Sequence, residues 1–152
     1  MPPKAKTKKT KTAVAKKQEP KRTLKYYEAV GRRKTAFARV RIFSNQEPKF
    51  VVNGKDVKQY FPTANLQETA LASLAQTDSQ KTLGVKVLVR GGGINAQAEA
   101  VRLGLARVLV KFSPEIYKNL RALGYLTRDP RMRERKKFGL KRARRAPQWQ
   151  KR

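Results

Sequence analysis

The chain has 152 residues, of which 38 are Lys or Arg and 10 are Asp or Glu, so its formal net charge is +28. Charge of that density repels itself until a polyanion neutralises it, which makes nucleic acid the natural partner. The absence of Cys and His excludes disulfides, thiolate metal sites and histidine acid–base catalysis, and without a run of ~20 apolar residues or a basic helix with a broad apolar face no membrane partner is expected.

The charge is densest at the ends. Residues 1–25 hold 10 basic residues and 1 acidic, residues 26–125 hold 16 and 7, and residues 126–152 hold 12 and 2. This divides the chain into an expected disordered lysine-rich arm (1–25), a globular domain (26–125) and an extended basic tail (126–152). The arm begins MPPKAKTKKTKTAVAKK, which lacks the apolar stretch of a secretory signal and the Arg/Ser bias of a transit peptide. It reads as a retained segment.

In the central segment, Tyr26 to Val30 and Ala36 to Phe43 read as strands around Gly31-Arg32-Arg33-Lys34. The second alternates: Ala36, Ala38, Val40 and Ile42 share one face, which leaves Phe37, Arg39, Arg41 and Phe43 on the other. That basic, aromatic-flanked face either is a solvated surface or meets RNA. Phe50-Val51-Val52 runs into an Asn53-Gly54 turn, and Val57 to Phe61 forms one helical turn ended by Pro62. Asn65 is expected to cap a helix with Glu68 three residues on, with Leu66, Ala70 and Leu74 on its buried side and its end near Gln76. Leu83 to Arg90 is a β-branched strand with Val85, Val87 and Val89 on one face, broken by Gly91-Gly92-Gly93. A long helix comes next, with a stripe of Val101, Leu105, Val108, Leu109 and Phe112. Ser113-Pro114 stops it and caps another, Glu115 to Leu123, which Gly124 ends.

The three glycines could cradle a phosphate. No Walker Lys-Ser/Thr lies beyond them, however, and a tight turn is the commoner use of such glycines. The acidic residues Glu28, Glu47, Asp56, Glu68, Asp78, Glu99 and Glu115 are scattered and assemble into no catalytic set, so neither an enzyme nor any cofactor or metal is expected. From Leu126 the chain loses its apolar period, and its cations are interleaved with Phe138, Leu140 and Trp149, which can stack on bases or wedge into RNA crevices. Extended at ~3.3 Å per residue, this tail reaches about 90 Å. The bland alternative is a nonspecific DNA-coating tail, as in small nucleoid proteins.

Several motifs together resemble a known family. They are Gly31-Arg32-Arg33-Lys34-Thr35-Ala36 with Ala38-Arg39-Val40, the Gly91-Gly92-Gly93 loop with Ala96-Gln97 and Gly104-Leu105-Ala106-Arg107, and Leu126-Thr127-Arg128-Asp129-Pro130-Arg131 with Glu134-Arg135-Lys136-Lys137. The end, Gly139-Leu140-Lys141, Ala143-Arg144-Arg145-Ala146-Pro147-Gln148 and Lys151-Arg152, completes them. Over about residues 26–152 the chain resembles the family of the ninth protein of the small ribosomal subunit, of bacterial type. It departs from the family's usual residues at Val108, Trp149 and Gln150.

The resemblance implies an α+β fold, a small ribosomal-protein β-α-β domain with its sheet packed by two to three helices. It implies a structural role in the head of the small subunit, with small-subunit ribosomal RNA, peptidyl-site transfer RNA and neighbouring head proteins as partners. The residues it assigns to ribosomal RNA are Arg32, Arg33, Lys34, Arg39 and Arg41 in the body and Arg128, Arg131, Arg133, Arg135, Lys136, Lys137, Lys141, Arg142, Arg144 and Arg145 in the tail. Lys151 and Arg152 are assigned to transfer RNA. The expected location is a bacterial cytoplasmic ribosome, with an organellar ribosome the less favoured alternative.

Overall fold

The structure, a computed structural model, describes residues 26–44, 47–77 and 83–149; the expected N-terminal arm lies outside them. In chain order come β1 (Tyr27–Arg33), β2 (Ala36–Phe43), β3 (Phe50–Val52), β4 (Lys55–Asp56), α1 (Val57–Tyr60), α2 (Ala64–Ala75), β5 (Gly84–Arg90), α3 (Ile94–Phe112), a 3₁₀ turn (Pro114–Ile116) and α4 (Tyr117–Ala122). The strands make one mixed sheet in the order β1-β2-β5-β3-β4. β3 and β5 are its parallel pair, joined by the α1–α2 crossover, and the other pairs are antiparallel. The fold is α+β.

Alternation fixes which face is covered. Ala36, Ala38, Val40 and Ile42 of β2 and Val85, Val87 and Val89 of β5 are buried, as expected, together with Ala29 and Val52. Against them lie Val101, Leu105, Val108 and Leu109 of α3, and Ala70 and Leu74 of α2 join the same core. Phe112, the last member of the expected stripe, instead sits at the margin, edge-on to Tyr27 with centroids 5.6 Å apart. The buried Ser73 hydroxyl of α2 donates to the Arg102 carbonyl of α3 at 3.0 Å, so the one buried polar side chain between these helices is satisfied.

β1 differs from expectation. It starts at Tyr27 and continues through Gly31, Arg32 and Arg33, which pair with Ala38, Phe37 and Ala36. Gly31 is therefore not a loop glycine. A Cβ there would lie 1.9 Å from the Ala100 carbonyl oxygen and 2.5 Å from the Gly104 nitrogen, while a Cβ on Gly104 would meet Val40 Cγ2 at 2.6 Å. Two facing glycines let α3 settle directly onto the sheet.

Local chemistry explains the turns. Asn53 and Gly54 both have positive φ, 48° and 81°, as a two-residue hairpin with right-twisted strands requires. The Asn53 side chain then acts as an extra peptide group, accepting from Val89 N–H at 2.9 Å and donating to the Val89 carbonyl at 3.0 Å. α2 begins one residue before the expected cap: after Pro62, the Thr63 carbonyl accepts from Leu66 and Gln67 N–H, so Asn65 falls inside the first turn. α4 is shorter than expected because Pro114–Ile116 is wound as 3₁₀. It ends with Gly124 at φ 73° while Gly124 N–H bonds the Arg121 carbonyl and Tyr125 N–H bonds that of Leu120, a Schellman closure.

Gly93 offers a contrast to Gly31, since nothing lies within 4 Å of a Cβ built there and its φ is negative. Gly31→Ala should therefore destabilise the protein by about 3 kcal/mol or more, because the obstacle is backbone. Gly93→Ala should stay within about 0.5 kcal/mol of the parent. Urea denaturation of the two variants checks this, and equal midpoints would refute the close α3–β1 contact.

Candidate nucleic-acid interface

The helices cover one face of the sheet, and the other face is open. Its rows are set by register: Arg32, Phe37 and Arg90 lie side by side across β1, β2 and β5, followed by Val30, Arg39 and Leu88, then by Glu28, Arg41 and Lys86 with Val51 of β3 beyond. Glu28 grips two of the expected RNA-binding residues. Its Oε1 accepts from Arg39 Nε and its Oε2 from Arg41 Nε, each at 2.7 Å. The Arg39 hydrogen bond chiefly, with help from Arg41 and against the opposing effect of burial, holds the Glu28 carboxyl below its usual range. Arg41 also lies over the Tyr26 ring at 4.8 Å. Phe43 stands on this same face, as alternation requires, but it is buried there, with the Tyr26 ring 5.7 Å away and Lys86 over its own ring at 5.3 Å.

Arg32 and Lys34 project to solvent, Lys34 from the β1–β2 turn at φ 51°. Arg33 does not. Its side chain is only 12 % exposed, and each of its three nitrogens has a partner. Nε pairs with Glu99 of α3, Nη1 donates to the Asp129 carbonyl at 3.2 Å and the Arg131 carbonyl at 2.7 Å, and Nη2 meets Asp129 Oδ2 at 3.1 Å. Arg33 thus fastens the base of the tail to the body. Asp129 accepts three further side-chain contacts from Arg131 at 2.9–3.1 Å and the Arg131 backbone N–H at 2.9 Å.

Beyond the anchor the described tail has turns but no helix or strand, and Arg128, Arg131, Arg133, Arg135, Lys136, Lys137, Lys141, Arg142, Arg144 and Arg145 are all exposed. Glu134 holds Lys137 at 3.1 Å and Arg144 at 2.9 Å, and the Lys141 N–H bonds the Arg145 carbonyl at 2.7 Å, which folds this stretch back on itself. Phe138 and Trp149 stand out in solvent at 105 % and 86 % exposure, with no apolar surface of the body beneath them. Lys151 and Arg152 lie outside the described residues.

Sequence reasoning missed Lys86, Leu88 and Arg90 as open-face residues, although they alternate with the β5 valines. It also missed Arg107 and Lys111 of α3, which donate to the Val30 and Glu28 carbonyls at 2.9 Å and so occupy the outer edge of β1. Glu28, Glu99, Asp129 and Glu134 are each engaged with arginine. Among the described residues no group of three His, Cys, Asp or Glu side chains could hold a metal ion, and no helix is long and apolar enough to cross a membrane. Gly91 and Gly92 have positive φ and are wedged against Thr35 and Ala36. They act as a tight turn.

An α+β body with one open cationic sheet face, carrying a solvent-exposed cationic tail, defines a structural nucleic-acid-binding protein. A family model for ribosomal protein S9/S16 matches residues 31–152, and the chain belongs to that family. Membership makes it a structural, ribosomal-RNA-binding constituent of the small ribosomal subunit, in a family that is not enzymatic, with ribosomal RNA and other ribosomal proteins as its partners.

The anchor generates two expected outcomes. Arg33→Ala should speed tryptic cleavage after Arg128 and Arg131 while leaving cleavage after Arg142 unchanged, and should lower stability by about 2 kcal/mol through lost charged hydrogen bonds. Unchanged cleavage at all three positions would mean that the anchor does not hold the tail. The second outcome concerns pH. Arg131's guanidinium and backbone N–H, with a smaller contribution from Arg33, outweigh burial and lower the Asp129 carboxyl from 3.8 to about 2. A carboxyl lowered by folding stabilises the folded form above its unfolded value, and that contribution is lost as pH falls through the folded value. The anchor should therefore persist at pH 4 and fail only near pH 2, and an NMR titration of Asp129 with a midpoint near 3.8 would contradict it.

Proposed function

We propose that this protein is a bacterial-type member of the family, working on a cytoplasmic ribosome. It holds the head of the small subunit together and lends its tail tip to peptidyl-site transfer RNA. The observation that supports this reading most is the anchored tail. Arg33 fixes where the tail leaves the body, and every cation of the described tail beyond that point is exposed. In this reading Arg32, Lys34, Arg39 and Arg41 approach ribosomal RNA phosphates from the body, the last two as a guanidinium pair oriented by Glu28. Arg128, Arg131, Arg133, Arg135, Lys136, Lys137, Lys141, Arg142, Arg144 and Arg145 continue along the RNA from the tail. Such contacts position the protein more than they read sequence, and neighbouring head proteins complete the surroundings. Arg33 acts one step removed, by aiming the tail.

Lys151 and Arg152 are the residues proposed to reach transfer RNA. A cation directed at the backbone serves every transfer RNA alike.

High-salt sedimentation tests the ribosomal part, because loosely held polycations dissociate as salt rises. The tagged protein should stay with small subunits. Release, with double-stranded DNA competing as well as ribosomal RNA, would point to a nonspecific nucleic-acid binder. Deleting Lys151 and Arg152 should leave assembly intact and weaken peptidyl-site transfer RNA binding or reading-frame maintenance; unchanged affinity and frameshifting would sink the transfer RNA contact.

A further inference from the structure

We infer that the row formed by Arg32, Phe37 and Arg90 is a stacking site for an unpaired RNA base, with the two guanidiniums taking the phosphates on either side of it. The inference rests on the ribosomal reading and adds the kind of nucleotide this part of the open face receives.

The open face is divided electrostatically. Arg39 and Arg41 are clamped by Glu28, and Lys86 is laid over Phe43. At the other end, Arg32 and Arg90 are exposed, and among the described residues neither has an ion-pair or side-chain hydrogen-bond partner. Phe37 stands between them as the cross-strand partner of both. It is 39 % exposed on a sheet face that no helix covers, and Leu88, 52 % exposed, is its diagonal neighbour on β5. Solvent-facing apolar surface bracketed by uncompensated guanidiniums suits a ligand that is flat and aromatic and also carries negative charge. A nucleotide has both properties.

The spacing supports this choice. The Val30 carbonyl points away from β2, because it accepts from Arg107 at 2.9 Å. The even-numbered residues of β1 are therefore the non-hydrogen-bonded partners of β2, so Arg32 and Phe37 form a narrow pair with Cα atoms ~4.5 Å apart, and Phe37 and Arg90 form a wide one at ~5.5 Å. The ring thus has a guanidinium on each side within reach of one nucleotide's flanking phosphates. The platform is also stiff. A Cβ on Gly91 would come within 2.6 Å of the Thr35 carbonyl and one on Gly92 within 2.9 Å of Ala36 Cβ, so the β5 terminus is packed tightly against the β1–β2 turn. Gln97 Nε2 holds the Gly91 carbonyl at 3.1 Å, and Gln97 Oε1 accepts from Tyr60 at 2.8 Å. A base within a duplex shows only its edges to a groove, whereas an unpaired base offers the face that stacks on an aromatic ring. The ligand is accordingly single-stranded.

The chain has a single tryptophan, so Phe37→Trp combined with Trp149→Phe places the only indole in the row. This full-length variant is titrated with octa-adenylate RNA and with an abasic octamer of equal charge. Octa-adenylate should quench the indole and the abasic chain should not. In the otherwise natural chain, Phe37→Ala should weaken octa-adenylate binding roughly tenfold or more, leave abasic binding unchanged, and not be rescued by Phe37→Leu. Equal quenching by both probes, no quenching by either, or unaltered affinity of Phe37→Ala would overturn the stacking site. High-salt retention of the Phe37→Ala chain on small subunits separates the two readings: retention with no base-dependent quenching removes the stacking site alone, whereas loss of retention by the unsubstituted chain removes the ribosomal reading beneath it.

Discussion

The close approach of α3 to β1 through Gly31 and Gly104 is the constraint on which the rest of the molecule depends. Once the helix lies on the strand, their different rises set a register between them. From Arg33 to Glu28 the strand descends about 17 Å at ~3.3 Å per residue, and from Glu99 to Lys111 the helix climbs about 18 Å at 1.5 Å per residue. The contacts keep that pace: Glu99 meets Arg33, Arg107 meets the Val30 carbonyl and Lys111 meets the Glu28 carbonyl. A bulkier residue at Gly31 would lift the helix and break all three. The edge of β1 would then be open to pair with another chain, and Arg33 would lose the carboxylate that orients it toward the tail.

Acidic residues are few, and their positions matter more than their number. Glu28 draws Arg39 and Arg41 into one orientation, Glu99 and Asp129 hold Arg33, and Glu134 gathers Lys137 and Arg144. The more exposed of these pairs, at Glu28 and Glu134, add little stability, about 0–1 kcal/mol each. Their effect is geometric: long cationic side chains that would otherwise sample many rotamers are held in set places before RNA arrives, which reduces the ordering entropy of binding. Arg32 and Arg90 lack such partners among the described residues and remain available to an external anion.

Much of this was legible in the sequence, and the exceptions have physical causes. The period of two in Ala36–Phe43 and in the β5 valines identified the buried face because a sheet covered on one side cannot tolerate a shifted register. The α3 stripe and the charged tail were equally plain. Gly31 was misread because glycine signals a loop and a close backbone approach alike, and only the packing partner tells them apart. That error hid another. With Arg33 to Ala36 closed by the two-residue turn at Lys34-Thr35, residue 28 falls opposite residue 41, so the hairpin itself dictates the Glu28–Arg41 pair. With a longer loop it does not. Arg33 could not have been foreseen as the tail anchor at all, since its partners are 66 and 96 residues distant in sequence and nothing local distinguishes it from Arg32.

Adjacent in sequence, Arg32 and Arg33 illustrate how a strand divides one basic motif between two tasks. Alternation sends Arg32 to the open face and Arg33 toward α3 and the tail. The first is left exposed, and the second holds the root of the cationic tail in place. Fixing a residue's backbone takes ~1–2 kcal/mol of entropy. Because Arg33 binds the carbonyls of Asp129 and Arg131, that ordering is achieved for the root of the tail on folding of the body. In the proposed function, RNA then has to order only the residues beyond Arg131, starting from a known point and direction. A tail joined to the body by its peptide bonds alone would have to find its course by diffusion. In the proposed function, the Arg33 anchor therefore gives a charged tail, which by composition could coat any polyanion, the fixed root it needs to follow a single path through a folded RNA.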